Sequence, residues 1–356
     1  MRKLCYKRRG FVFFPARPLA RRIAAVAGLL VGMCLTGRCE SLRIVISGDG
    51  RSQYPWSEQR SEDEDGMNKT INREIQQAVL DEKAQVMLWT GDLVNVTDNE
   101  PGTLKRRLEA WRGVMQPLYD AGVVVLPVRG NHEVFRYTDQ SFQPAPIPEA
   151  TNVWNSVFTG QYALPDNGPD GEKNLSFFFS GDSTLIVGLD QYENKWHSVN
   201  QAWLNQVLQD HRKPFIFVFG HEPAFMAGNH RDQDTLAADP AKRNAFWESL
   251  VHAGVQAYFC GHDHFYDHKE VVRSGENSGQ VHQVTAGTAG APFYKSVAFD
   301  GNKSGWALTQ KEHVDYTCGY LLAEISESKV IITFKERYSS GKYLPKDSFV
   351  CNASLP

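Results

Sequence analysis

An α/β fold is predicted for this chain, and two observations carry the prediction. Through residues 42–260, short apolar runs alternate with stretches of helical spacing, the order expected of strand–helix–strand units. Five of those apolar runs also stop at a glycine-containing turn that presents Asp, Asn or His. In open α/β sheets, ligand sites lie beyond the carboxyl ends of the strands. Five such turns can therefore meet at one place.

Residues 42–47 read as the first strand, ending at Gly48-Asp49-Gly50. A charged loop with Glu62 to Asp65 follows. Residues 67–83 place Ile71, Ile75, Val79 and Leu80 at helical spacing. Residues 86–89 form a second strand ending in Gly91-Asp92. Residues 103–121 read as a helix through Leu104, Leu108, Trp111, Met115 and Leu118. Residues 123–128 are a third strand, ending in Gly130-Asn131-His132-Glu133. Residues 134–173, rich in Pro, Asn and Gly, read as a long irregular loop of the kind usually kept for function. Runs 176–179 and 184–190 pair about a Gly181-Asp182 turn. A helix over 199–211 precedes a strand over 215–219 that ends in Gly220-His221. A helix over 241–253 precedes a strand over 255–260 that ends in Gly261-His262-Asp263-His264. The tail is strand-rich, over 266–273, 280–286, 319–326 and 329–338, and suggests a second sheet, not a separate domain. The aromatic runs 177–179 and 215–219 belong to core strands.

With 356 residues and 42% apolar content, the chain can bury a substantial core. A net charge of −3 gives no general pull toward nucleic acid or acidic membranes. No basic stripe or recognised module points to a nucleic-acid partner. Residues 1–22 are basic and lack acids, and an uncharged apolar run over 23–35 follows. That run is short for a bilayer span, and the pattern is that of a secretory signal cleaved near Gly37 to Cys39. The expected division is a signal peptide over 1–39 and one domain over 40–356. The protein is then exported, periplasmic or extracellular, with an uncleaved membrane anchor as the alternative. Oligomeric state is not legible. Cys260 reads as a buried small hydrophobe, whereas Cys318 and Cys351 are available to pair in an oxidising compartment.

A lone Gly-Asp or Gly-His is usually a structural turn. The ordered set is far more specific, and in Gly261-His262-Asp263-His264 two histidines two residues apart can reach adjacent metals. The set resembles the calcineurin-like metallophosphoesterase family, to which purple acid phosphatases are related. The family's ordered motifs are Asp-x-His, Gly-Asp, Gly-Asn-His-Asp/Glu, Gly-His and Gly-His-x-His. Here they stand as Asp49-Gly50-Arg51, Gly91-Asp92, Gly130-Asn131-His132-Glu133, Gly220-His221 and Gly261-His262-Asp263-His264. The resemblance covers about residues 42–300 and implies a four-layer fold, a two-sheet β-sandwich flanked by helices.

It also implies a metal-dependent hydrolase of phosphomonoesters or phosphodiesters. Asp92 would bridge two metal ions. One ion would add Asp49 and His264, and the other Asn131, His221 and His262. Carboxylate, amide and imidazole ligands suit Mn, Fe, Zn or similar divalent or transition metal ions. The implied chemistry is in-line attack by a hydroxide shared between the metals. His132 would give a proton to the leaving alkoxide, with a structural role beside the metals as its alternative.

The first motif departs from the family. Arg51 stands where His is usual, and Arg cannot ligate. Asn95 stands where purple acid phosphatases place a Tyr. The first metal then has three evident protein ligands and is completed by water, by Asn95 or by another residue. Arg51 is assigned to gripping a phosphate oxygen, the alternative being an ion pair with the acidic loop. Its presence keeps open a second reading, a non-catalytic binding module with one metal site impaired. Asp263 is either a support for an imidazole or an exposed turn residue. Tyr54, His197 and His230 border the site on loops, while His211, His252 and His268 read as surface residues.

Overall fold

Three early apolar runs become β1 (Leu42–Ser47), β2 (Val86–Trp89) and β3 (Val124–Pro127), which lie parallel and adjacent. Helices α1 (Lys69–Asp81) and α2 (Thr103–Asp120) make the crossovers that parallel neighbours require. Every residue of β2 is buried, as in strands covered on both faces. The Asn68 side chain caps α1 by accepting from the Ile71 N–H. The computed structural model describes residues 41–354 except 55–64, 142, 227, 229, 276–278, 296, 298, 300 and 304. The expected signal segment 1–39 lies outside the described residues, as do Glu62, Asp63 and Glu64. Among the described residues, no helix is long and apolar enough to cross a membrane.

Two β-sheets form. The first adds β14 (Gly319–Ile325), β15 (Lys329–Arg337) and β16 (Tyr343–Asn352), antiparallel, in the order β16-β15-β14-β1-β2-β3. The second holds β6 (Phe177–Ser180), β7 (Thr184–Gly188), β8 (Phe215–Phe219), β9 (Ala257–Cys260), β10 (Tyr266–Arg273), β11 (Val281–Ala286), β12 (Asn302–Lys303) and β13 (Trp306–Val314). Its order is β12-β13-β10-β11-β9-β8-β7-β6, with β7, β8, β9 and β11 parallel.

The alternation along β8 shows how the layers stack. Phe215, Phe217 and Phe219 join the core shared with Ile44, Leu88 and Leu126 of the first sheet. Ile216 and Val218 face the other way, into a core with Leu204, Trp247 and Leu250. Those residues belong to α4 (Gln201–Asp210) and α5 (Pro240–Ala253). Helices α1 and α2 cover the first sheet through Ile75, Val79, Leu108 and Trp111. The two-sheet sandwich between helices is the architecture expected.

Four details differ from the sequence reading. The 134–173 loop contains α3 (Ala150–Val157) and a small ladder of β4 (Phe135–Arg136) with β5 (Ala145–Pro146). Residues 150–157 have weak helix propensity, and burial overrides it. Trp154 packs on Phe158 and donates from Nε1 to the Asn174 carbonyl at 2.9 Å. Strands β13 and β16 carry many polar residues and were not anticipated. β16 is an edge strand, where Pro345 is tolerated at a shift of register. His268 is buried, not a surface residue. Its Nδ1 meets Asp347 at 2.8 Å and its Nε2 meets His282 at 2.9 Å.

Cys318 and Cys351 do not pair, and both are free thiols. The Cys318 carbonyl accepts from Arg337 at one end of β15, whereas Cys351 is the partner of Val330 at the other. Seven residues of strand separate those ends, about 23 Å. A disulfide needs Cα atoms within about 7 Å.

Candidate metal centre

The turns after β1, β2, β3, β8 and β9 converge. Asp49 Oδ1 stands 3.4 Å from His264 Nε2, and Asp92 Oδ1 stands 3.4 Å from His221 Nε2. Asn131 Oδ1 lies 3.0 Å from His221 Nε2 and 3.1 Å from His262 Nδ1, and those two nitrogens are 3.0 Å apart. Ligand atoms of Asp49, Asp92 and His264 all lie within 4.8 Å of one another. All six side chains are thus brought together, in two overlapping groups that share Asp92.

The backbone is bent to achieve this. Asp49, Asp92 and His262 adopt left-handed conformations, with φ of 58°, 51° and 71°. Such positions cost about 1–3 kcal/mol each and gather at functional sites. They are held by the bonds Asp49 N–H to Gly91 O at 3.0 Å and His262 N–H to Asp49 Oδ1 at 3.1 Å. The motif glycines supply room, beyond freedom to turn. A Cβ on Gly130 would stand 2.1 Å from Asp92 Oδ1, and one on Gly261 would stand 2.0 Å from Asp49 Oδ2. Each of these two glycines makes space for another motif's carboxylate.

The imidazoles are oriented from behind. His221 Nδ1 meets the Thr90 carbonyl at 2.8 Å, His262 Nε2 the Asp234 carbonyl at 3.0 Å, and His264 Nδ1 the Pro292 carbonyl at 2.5 Å. A carbonyl only accepts, so each of these nitrogens donates and the other presents a lone pair to the site. Gln191 Oε1 accepts from the His221 and Glu222 N–H groups at 2.8 and 2.7 Å. Glu133, not assigned from the sequence, is fully buried and binds three backbone donors. Its Oε2 accepts from Asp92 N and Gly130 N, and its Oε1 from Val94 N.

The electrostatics describe a site short of positive charge. Burial, then the Asp92 charge, pushes the Asp49 carboxyl well above its usual range. The same two causes push Glu133 up to about 8 despite its three donors. Burial holds His132, His262 and His264 well below the usual imidazole range, the neutral form that ligates. Lone-pair atoms pointed at each other across about 3 Å repel. The same spacing is that of neighbouring ligands about 2.1 Å from one ion. The residues therefore fit divalent metal by donor type, by spacing and by charge.

Arg51 is buried against this group. Its Nε lies 3.5 Å from Asp92 Oδ2, without a hydrogen bond to any described residue. Nη1 donates to the Ser52 carbonyl at 3.2 Å, and Nη2 to the Tyr294 hydroxyl at 3.3 Å. The guanidinium sits 5.0 Å from the Tyr54 ring centroid. Burial opposes its charge, but Tyr54, Tyr294, Asp92 and Asp49 outweigh that and keep it cationic. Asp65, the described member of the acidic loop, pairs with Lys69. Among the described residues, Arg51 is held by the site.

Asn95 supports His132. Its Oδ1 lies 3.1 Å from His132 Nδ1, which must donate to it. His132 Nε2 then faces Asp92 Oδ2 at 3.8 Å and the Tyr54 hydroxyl at 3.4 Å. Asp263 is buried and meets His230 Nδ1 at 3.0 Å, while the His230 ring stacks on His262 at 3.6 Å. Asp263 is thus a support for an imidazole, that of His230, and not an exposed turn residue. His197 bonds Glu222 at 2.8 Å, behind His221. Arg129, also missed, ties this edge together by bonding Asp190 at 2.8 Å and Glu193 at 3.0 Å.

Comparison with known proteins agrees with this geometry. The calcineurin-like phosphoesterase family model matches residues 43–266. A serine/threonine-protein phosphatase, CPPED1, is 25% identical over 196 residues in both Homo sapiens and Pongo abelii. The match covers 52% of this chain and 55% of the relative, so the chain spans about half the length of the curated relatives it matches. Among solved structures, purple acid phosphatase PPD1 of yellow lupin (Lupinus luteus) aligns with a TM-score of 0.63 at 16% identity, over 88% of this chain and 54% of that one. GAP50, described as the anchor in the inner membrane complex of Plasmodium, aligns with a TM-score of 0.54 at 13% identity, over 88% and 90%. At such identities these structures share the fold.

Proposed function

The chain belongs to the calcineurin-like phosphoesterase family, and we propose that it hydrolyses phosphate esters with two divalent metal ions held by Asp49, Asp92, Asn131, His221, His262 and His264. The carrying observation is that three imidazoles, each tethered to a backbone carbonyl, turn their free nitrogens inward, His221 toward Asp92, His264 toward Asp49 and His262 toward the Asn131 amide oxygen. When bound, such ions supply Lewis-acid charge for the phosphoryl group and a nucleophile at neutral pH.

The chain's own residues do the rest. Arg51 offers to a phosphate oxygen its fixed charge and an Nε that has no hydrogen bond among the described residues. His132, steered by Asn95, turns Nε2 toward Asp92 Oδ2 at 3.8 Å and the Tyr54 hydroxyl at 3.4 Å. Burial and then the Arg51 charge depress its basicity. It takes up a proton at Nε2 once the negative phosphate lies beside it, and gives that proton to the leaving alkoxide.

The test is metal removal. Chelation should abolish hydrolysis of para-nitrophenyl phosphate and of its bis ester, and added Mn or Zn should restore whichever activity the parent has. His221→Ala should recover at most about 1% of it. Hydrolysis that survives chelation, or full recovery in His221→Ala, sinks the proposal.

Arg51 favours one refinement. If it grips phosphate, Arg51→Ala should raise KM about tenfold. Its metal affinity should be unchanged or tighter, because a buried cation beside Asp92 is gone. Lost metal in that variant would instead give Arg51 a structural role. Unchanged KM and turnover would remove Arg51 from the substrate site, whereas a metal-loaded parent without turnover would favour the binding-module reading.

A further inference from the structure

A cavity of about 660 Å³ includes Tyr192, the neighbour of the His221 ring, in its lining. Its size is that of a small-molecule pocket. Two segments line it, the loop 192–197 and the stretch 238–242 that opens α5. The flanks of both segments also support the metal ligands. Gln191 holds the His221 backbone, and the Asp234 carbonyl holds His262. The Tyr192 ring centroid lies 6.4 Å from that of His221. A group bound in the cavity is therefore close to His221, with the Tyr192 ring between them.

The lining has a definite chemistry. Trp196 is 48% exposed, and its ring is braced edge-on by Phe135 at 4.4 Å. An exposed, braced indole is a stacking platform for a planar ring. The acids of the lining are already used. Glu193 is bound by Arg129 at 3.0 Å and by Thr151 at 2.5 Å. Asp239 caps α5, accepting from the Lys242 N–H at 3.2 Å. Lys195 and Lys242 line the cavity, and neither ammonium has an ion pair among the described residues. The N-terminus of α5, a helix of 14 residues, adds to the positive potential on the same wall.

From this juxtaposition we propose that the cavity is the subsite for the alcohol portion of the substrate, and that it selects a planar ring carrying a second negative group. The ring stacks on Trp196, and Lys195 with Lys242 receive the second charge. A nucleoside bisphosphate has that chemistry, whereas a small aliphatic phosphate lacks the ring. The inference deepens the phosphoesterase reading and rests on it for the placement of the first phosphate.

Binding by the metal-loaded full chain tests it without turnover. Adenosine 3′,5′-bisphosphate and glycerol 3-phosphate are titrated separately by calorimetry at low temperature. The parent should bind the bisphosphate at least about tenfold tighter, the scale of one base–aromatic stack. Trp196→Ala should erase most of that preference. The Lys195→Ala/Lys242→Ala pair should weaken bisphosphate binding about threefold to fivefold, the scale of exposed ion pairs. All three lining residues are exposed, so the variants should melt with the parent, and a variant that does not is replaced by Trp196→Gln or by Lys195→Gln/Lys242→Gln. No preference in the parent, or a preference that survives both sets of changes, overturns the subsite. Preference without any hydrolysis would instead retain the subsite and remove the phosphoesterase reading.

Discussion

Asp92→Asn is expected to lower phosphoester hydrolysis by about 10³-fold or more while leaving the metal-free protein as stable as the parent, or slightly more so. The two halves of that result have different causes. Asn has nearly the same shape, and its amide oxygen can still accept from the His132 N–H, now bound to Asp92 Oδ1 at 3.1 Å. What it lacks is the charge and the second anionic oxygen through which Asp92 reaches both groups of ligands. Two effects on the metal-free fold then compete. Removing the charge deprives buried Arg51 of a counter-ion, and breaking a buried pair can cost about 3–5 kcal/mol. But this pair is 3.5 Å apart without a hydrogen bond, and Arg51 keeps Asp49, the Ser52 carbonyl and the Tyr294 hydroxyl as neighbours. Against it stands the repulsion of Asp92 on two other buried carboxyls, Asp49 and Glu133, both driven upward by it. Relief of that repulsion should win. The rise in melting temperature that metal gives the parent should be lost as well. A metal-free variant that melts well below the parent would make Asp92 a structural counter-ion of Arg51 and undo this account of it.

Gly130→Ala should be nearly as damaging to activity, although it changes no group that bonds to substrate or metal. Gly130 has φ of −102°, so alanine fits the backbone there. The obstacle is space. The new methyl would stand 2.1 Å from Asp92 Oδ1, 2.5 Å from Asp92 N and 2.8 Å from His221 Cε1. One of those neighbours is backbone, held by Glu133, and cannot swing away. Two ligands must shift instead. A misplacement of about 1 Å costs roughly 10²-fold in rate, and the overpacking costs about 1–3 kcal/mol of stability. Gly113→Ala is the matched control. It lies in α2 with nothing within 4 Å of an added Cβ, and should stabilise by about 0.5–1 kcal/mol with activity unchanged. Gly130→Ala with the turnover and metal content of the parent would show the ligand cage to be far looser than described.

Much of the fold was legible because its strands are buried on both faces and read as unbroken apolar runs. β2 and β8 are the clearest cases, each entirely buried. Strands with mixed faces were harder. β13 and β16 alternate polar and apolar residues over a half-exposed surface, and Pro345 in β16 argues locally against a strand. α3 forms against its own propensity because Trp154 is pulled into the core. At the site, the ligands announced themselves by type and order, since each follows an apolar run and a glycine. Their supports did not. The carbonyls of Thr90, Asp234 and Pro292 carry no residue-specific signature, and Gln191 and Arg129 become visible only when separate strand ends are brought together, as does the bond of Asn95 to His132. Glu133 did have a signal, as the last residue of the Gly-Asn-His-Glu motif. Its work is to bind backbone donors from two motifs, which no spacing along one strand can show. Arg51 was readable as a departure from the family pattern, but its cage of Tyr54, Tyr294 and Asp92 was not.

The most direct test of the central claim, a two-metal site built by these six side chains, is a count of metal bound per chain at saturation. It is made by elemental analysis on the parent, on His262→Ala and on His264→Ala. The account predicts about two ions in the parent. It predicts about one in each variant, because each histidine belongs to a different group around Asp92. One ion or none in the parent, or a parent-like count in both variants, would contradict it.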